Sequence, residues 1–222
     1  MNLQVSDHPG DYLAAGPCIE SGQPEIIELA RKISAGSADQ METARRLFYW
    51  ARDNILYDVA CPFWKEEHYR ASAVIKSGRG FCIQKAVVLA ALARAVGLPA
   101  RLVFADLRNL RMSVQLRQVM GSDLFVYHCY NDIWLSGRWV KVVCSFDREL
   151  CLRHEYPPVE FDGINDALFA AFDQSGRPFM EYVHQHGTRF DVPLEEVLTA
   201  WRTVYGDRVD LWRQTLEKPL RP

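Results

Sequence analysis

The chain has no apolar run approaching the roughly eighteen residues that a membrane-crossing helix needs, no CxxC pair, and no block of about five or six like charges. Each absence excludes a class. The first removes a membrane-spanning protein, and residues 1–22 add no basic stretch leading into an apolar core with a small-residue cleavage site, so a soluble, cytoplasmic chain is expected. The second favours free thiols in a reducing compartment over a disulfide framework. With 222 residues and 49% hydrophobic composition, the chain has core enough to need no staples, and its six cysteines are expected as free thiols. The third, with a formal net charge of −2, removes nucleic acid as a partner. His184 and His186 lack a third ligand at motif spacing, so no metal is expected, and no cofactor either. No internal repeat is visible.

What is present is organised around three periodic segments. Met41, Ala44, Phe48, Ala51 and Ile55 recur three to four apart and predict a helix over 38–54, with Ser37 and Gln40 at capping-box spacing. Cys82 to Val96 predicts a central helix: Ile83, Ala86, Val87, Ala90 and Ala93 make a wide apolar stripe, ended by Gly97 and Pro99. Residues 100–105 read as a strand, and 106–123 as loop or short helix. Segments 124–135 and 138–146 flank Ser136-Gly137 and predict an antiparallel hairpin. Leu194, Val197, Leu198, Trp201 and Tyr205 form a last helical stripe behind Pro193. The expected organisation is an irregular lead-in over 1–24, a core over 25–151, and an extension over 152–222 packed on that core.

Chemistry concentrates at Cys82, His128 and Asp147. Cys82 stands where a glycine-containing loop, Gly78-Arg79-Gly80, meets a helix N-terminus, where unpaired N–H groups and the helix dipole favour an anion and are expected to lower a thiol's pKa. His128 lies within the first hairpin strand. If Leu135 faces Arg138, His128 faces Ser145, two residues from Asp147; a shift of the loop by one residue makes His128 face Asp147 itself. Both registers bring a carboxylate toward the imidazole. A nucleophile, a base and an orienting acid in that chain order amount to a thiol catalytic triad.

The run Gly78-Arg79-Gly80-Phe81-Cys82-Ile83-Gln84-Lys85-Ala86, continuing through Leu89 to Arg101, resembles the nucleophile helix and following strand of transglutaminase-like proteins. Tyr127-His128, Gly137-Arg138-Trp139 and Ser145-Phe146-Asp147 are similar to that family's His and Asp segments, and Ile55-Leu56-Tyr57 to its pre-core helix end. The resemblance covers about residues 40–150. It implies an α+β, papain-like core, a nucleophile helix on an antiparallel sheet, and acyl transfer through a thioester on Cys82 with His128 shuttling the proton. The implied substrate is a peptide or small amide, with water or an amine as acceptor; nothing here bears on oligomeric state. Cys129 and Tyr130 follow His128 where the family often has a small residue and Trp, and Arg148 follows Asp147 where it often has Pro. No Gln precedes Cys82 at papain-like spacing, so oxyanion donors fall to the Cys82 N–H with Tyr57 or Trp64.

Phe63, Trp64 and Tyr69, close before the nucleophile, are candidates for the wall of an acyl-binding cleft. Two other classes compete. An inactive binding module on the same fold would be expected to have lost a triad member, and none is lost. A thiol-redox protein would need a resolving cysteine, for which only Cys129 and Cys144 on the hairpin qualify.

Overall fold

The computed structural model describes residues 7–217. After a 3-10 turn at Pro9–Tyr12 come α1 (Pro24–Ser34), α2 (Gln40–Asn54), β1 (Leu56–Tyr57), a second 3-10 turn (Glu66–Tyr69), α3 (Ala71–Ser77), β2 (Arg79–Gly80) and α4 (Cys82–Ala95). The second half runs β3 (Ala100–Asn109), α5 (Val114–Met120), β4 (Leu124–Leu135), β5 (Arg138–Val142), α6 (Arg148–His154), β6 (Met180–Arg189), α7 (Leu194–Tyr205) and α8 (Arg208–Glu217). β5, β4, β3 and β6 form, in that order, an antiparallel sheet, and β1 pairs with β2 in a short parallel ladder. The fold is α+β.

α4 is the hub. It lies against β3 and β4 and is flanked by α1, α2 and α3. Every residue from Cys82 to Arg94 is buried, the pattern of a helix that is apolar all round. Its alanines let neighbours approach on every side, and its two cations end on carbonyls. Lys85 Nζ donates to the carbonyls of Arg52 (2.8 Å) and Ile55, at the negative end of α2. Arg94 spans the carbonyls of Ala100 (2.8 Å), Ala14 (2.8 Å) and Phe190 (2.7 Å). Asn131 of β4, fully buried, donates to the Ala86 carbonyl at 2.9 Å and fixes the sheet to this helix.

The hairpin takes the first of the two expected registers, with Leu135 opposite Arg138. Ser136 (φ 49°) and Gly137 (φ 83°) both occupy left-handed backbone, the signature of a tight two-residue turn whose twist matches its strands. The second arm is shorter than expected. β5 ends at Val142, where Val143 N turns to donate to the Ala167 carbonyl (2.8 Å), so Ser145 never pairs with His128. The cap of α2 also differs from expectation. Asp39, not Ser37, accepts from Glu42 N (2.8 Å), while the Glu42 carboxylate accepts from Ala38 N (2.8 Å), because the extended backbone of Asp39 aims its short side chain into the first turn. β3 runs four residues past the expected strand because β6, drawn from beyond residue 152, pairs along its outer edge down to Asn109 and Met180.

Candidate active site

The approach to Cys82 is built by two glycines and a glutamine. Gly78 (φ 64°) closes α3 in left-handed backbone, and a Cβ on Gly80 would sit 3.1 Å from Gln84 Cβ and 3.2 Å from Val74 Cγ1. Leu56 N and Asp58 N donate to the carbonyls of Gly78 (2.9 Å) and Gly80 (3.1 Å), so Tyr57 is held alongside the turn that delivers the cysteine. Gln84, 2% exposed, accepts from Phe81 N (3.2 Å) and donates to the carbonyls of Pro62 (3.0 Å) and His68 (2.8 Å). One buried amide therefore pins the whole preceding loop to the first turn of α4. No spacing in the sequence marks Gln84 for this role.

Cys82 sits at the first position of α4, as expected, but its protonation is the reverse of the expectation. Burial pushes the thiol up to about 11, outweighing the backbone N–H groups of Cys129, Ile83 and Cys82 that pull it down. The helix start acts with the predicted sign and is the smaller effect. Its nearness to the Cys129 N–H also sets the thiol beside β4 at the residue following His128.

His128 stands opposite Ala105 on β4 and is 4% exposed. Its ring lies against Phe169 (5.7 Å) and Tyr182 (6.3 Å), and its Nε2 has no hydrogen-bond partner among the described residues. Burial holds the imidazole down to about 3, so thiol and imidazole are both neutral at rest. The residue before it is strained: Tyr127 has φ 56° in the middle of a strand, where the β3–β4 register shifts between Ala105 and Leu107. Asp106 fills that irregularity. Its Oδ1 accepts from Tyr127 N (3.1 Å) and meets His186 Nε2 at 2.7 Å, and the His186 ring stacks on Tyr127 at 4.1 Å. The His184-x-His186 pair noticed in the sequence lies on β6, and among the described residues no group of three or more His, Cys, Asp or Glu is disposed to hold a metal.

Asp147 caps α6. Its Oδ1 accepts from Leu150 N (2.8 Å) and its Oδ2 from Tyr57 N (2.8 Å), and no hydrogen bond joins it to His128. Cys82, His128 and Tyr57 line one cavity of about 400 Å³ with Phe63, Trp201 and Tyr205; Asp147 and Trp64 do not line it. Trp64 packs edge-on against Phe63 (5.5 Å) and His68 (4.7 Å), while the Tyr69 hydroxyl donates to the Phe63 carbonyl (2.7 Å). Of the expected cleft residues, Phe63 alone reaches the cavity. All six cysteines are unpaired thiols.

A buried cysteine at the head of a central helix, facing an antiparallel sheet that carries a histidine, defines a fold on which cysteine-based catalysis is built. The family model described as "Transglutaminase-like superfamily" matches residues 27–144, more than half of the chain, and the chain belongs to that superfamily. Among solved structures, a "Putative Cysteine Protease" from Cytophaga hutchinsonii is similar with a TM-score of 0.53 at 15% identity, over 85% of this chain and 49% of that one. A "putative protease" from Parabacteroides distasonis ATCC 8503 gives 0.41 at 14% identity, over 62% and 26% of the two chains. A structure described as "a TGase" gives 0.35 at 15%, over 99% and 52%. The present chain thus spans about half the length of the first of these, and the likeness is one of fold. No curated protein matches the sequence. No helix among the described residues is long and apolar enough to cross a membrane.

Proposed function

We propose that this chain is a cysteine-dependent hydrolase or acyltransferase acting on peptide-like amides, with Cys82 as nucleophile and His128 as base. The observation that carries the reading is that both side chains open into the same cavity while every other cysteine lies outside it. Cys82 Sγ attacks the acyl carbon, and the S–H proton passes through His128 Nδ1 to the departing nitrogen as the C–N bond breaks. The thioester then yields its acyl group to water or to an amine, and the thiol is restored. With both partners neutral at rest, proton removal accompanies attack instead of preceding it. The Cys82 N–H and the Tyr57 hydroxyl serve the developing oxyanion, and Trp64 acts only through Phe63.

Asp147 enters as the third member. A carboxylate has about four lone-pair sites, of which two are occupied by Leu150 N and Tyr57 N, leaving capacity for the proton-bearing Nε2 of an imidazolium on His128. The test is hydroxamate formation from simple primary amides and hydroxylamine, with ammonia release measured in parallel. Cys82→Ala and His128→Ala abolish both while leaving the unfolding transition in place. Retained turnover in folded Cys82→Ala protein removes the mechanism in favour of a binding module on the same fold.

A further inference from the structure

The cavity at Cys82 is walled mainly by residues outside the Cys, His and Asp segments, from the 57–63 stretch and from α5, α7 and α8, and the chemistry of that wall is one-sided. Among the described residues, no charged side chain lines it. On α7 and α8, three polar side-chain atoms that its residues carry are spent on the protein's own backbone. The Tyr205 hydroxyl donates to the Leu124 carbonyl (2.8 Å) and accepts from Val126 N (2.8 Å). Trp201 Nε1 donates to the Val126 carbonyl (2.8 Å), and the Thr215 hydroxyl to the Leu211 carbonyl (2.8 Å). Two different devices, hydrogen bonds to the start of β4 and a hydrogen bond back along α8, thus leave ring faces and aliphatic groups toward the space. The other polar side-chain groups of the lining are the Cys82 thiol, the His128 ring, the Tyr57 hydroxyl and the Trp212 indole N–H.

A charged or strongly polar acyl group entering this space would give up its hydration and find no partner, whereas each methylene buried there is favoured. The volume of about 400 Å³ is of the size that encloses a small organic ligand. We propose that the acyl group delivered to Cys82 is uncharged and apolar, a medium-length alkyl or aryl acyl group lying between α5, α7 and α8 with its carbonyl at the thiol. This rests on the reading of Cys82 as nucleophile for its chemistry, and on the cavity alone for its selectivity. A peptide carrying a charged side chain next to the reacting carbonyl is the occupant that the wall rejects.

Binding and acylation test the two parts separately. Cys82→Ala protein is titrated with hexanamide and with succinamate, which carries the same amide and a terminal carboxylate, and tryptophan emission is followed with Trp201→Phe to assign the signal. Hexanamide binds saturably, at least about tenfold tighter than succinamate. In the wild type, acylation of Cys82 by p-nitrophenyl esters accelerates from acetate to hexanoate by up to about fourfold per methylene buried, and p-nitrophenyl monosuccinate is slower than hexanoate. Val119→Asp, which puts a carboxylate on the α5 wall, lowers the hexanoate-to-acetate ratio. Equal or tighter binding of succinamate, no binding of hexanamide, or equal acylation by all three esters overturns the inference while leaving Cys82 as nucleophile. Selective hexanamide binding without any acylation of Cys82 does the opposite: it removes the catalytic reading and upholds the selectivity of the cavity.

Discussion

The Asp106 carboxylate accepts a hydrogen bond from the backbone N–H of Tyr127 at 3.1 Å, and Tyr127, at φ 56°, immediately precedes His128, which lines the Cys82 cavity. A tyrosine in left-handed backbone within a strand is held there against a cost of about 1–3 kcal/mol. Asp106 supplies part of what holds it, and the stacked His186 ring supplies more.

Asp106→Ala is therefore expected to cost about 1–3 kcal/mol of stability by leaving the Tyr127 N–H without its acceptor, and to lower turnover through displacement of His128. Adding Tyr127→Gly, which relieves the left-handed strain, recovers part of the stability. Urea unfolding of the three proteins checks this; an Asp106→Ala protein as stable and active as the wild type would remove Asp106 from the positioning of His128.

Acid stability follows from His128. Burial holds its imidazole at about 3 in the folded chain against an ordinary 6.5. Below 6.5 the unfolded chain takes up a proton that the folded chain refuses, so this contribution is intact above that pH and is lost as pH falls toward 3. His128→Gln removes it. Between pH 7 and pH 4.5 the wild type should lose about 2–3 kcal/mol more unfolding free energy than the variant. Parallel curves for the two proteins would show that His128 is not desolvated.

Alkylation of the thiols separates access from acidity. Cys82 alone among the six lines the cavity, so it should be the first cysteine labelled by iodoacetamide in native protein. Because burial pushes its thiol up to about 11, labelling should be slow near neutrality and climb with pH through 9 and 10. Peptide mass mapping across pH reads both. Fast labelling of Cys82 at pH 6 would mean a preformed thiolate, and the concerted proton transfer proposed above would fall.

Gly80 is required by contact. A methyl group there meets Gln84 Cβ at 3.1 Å and Val74 Cγ1 at 3.2 Å, neither of them the far end of a flexible chain. Gly80→Ala should cost about 1–3 kcal/mol as an overpacked site and disturb the Gln84 bonds that hold the loop before Cys82. Thermal unfolding gives the first effect and the activity of the folded variant the second.

Much of this architecture is legible in the sequence where burial and periodicity coincide. The helix from Cys82 shows its depth in an apolar face wide enough to leave no polar stripe, and Ser136-Gly137 marks the hairpin but leaves two registers open, between which the backbone decides. β6 is not legible: Met180 to Arg189 is a half-exposed edge strand carrying histidines, a glutamine and Gly187, and only its partner β3 makes it a strand. α1 is hidden by Pro24, which marks a helix start as readily as a loop. The neutral thiol was not legible either. Sequence shows that Cys82 opens a helix, but the burial that outweighs the helix terminus comes from packing that its own segment does not reveal. Asp106 escaped notice for the same reason, since a lone acid in a strand gains meaning only from the strained residue opposite it.

Whether Cys82 carries the acyl group is read by intact-protein mass spectrometry after a brief pulse of p-nitrophenyl hexanoate. One added acyl group is expected, mapping to Cys82, discharged by hydroxylamine, and absent from Cys82→Ala. An unmodified Cys82 in protein that nonetheless turns the ester over, or the same adduct on another residue in Cys82→Ala, would contradict it.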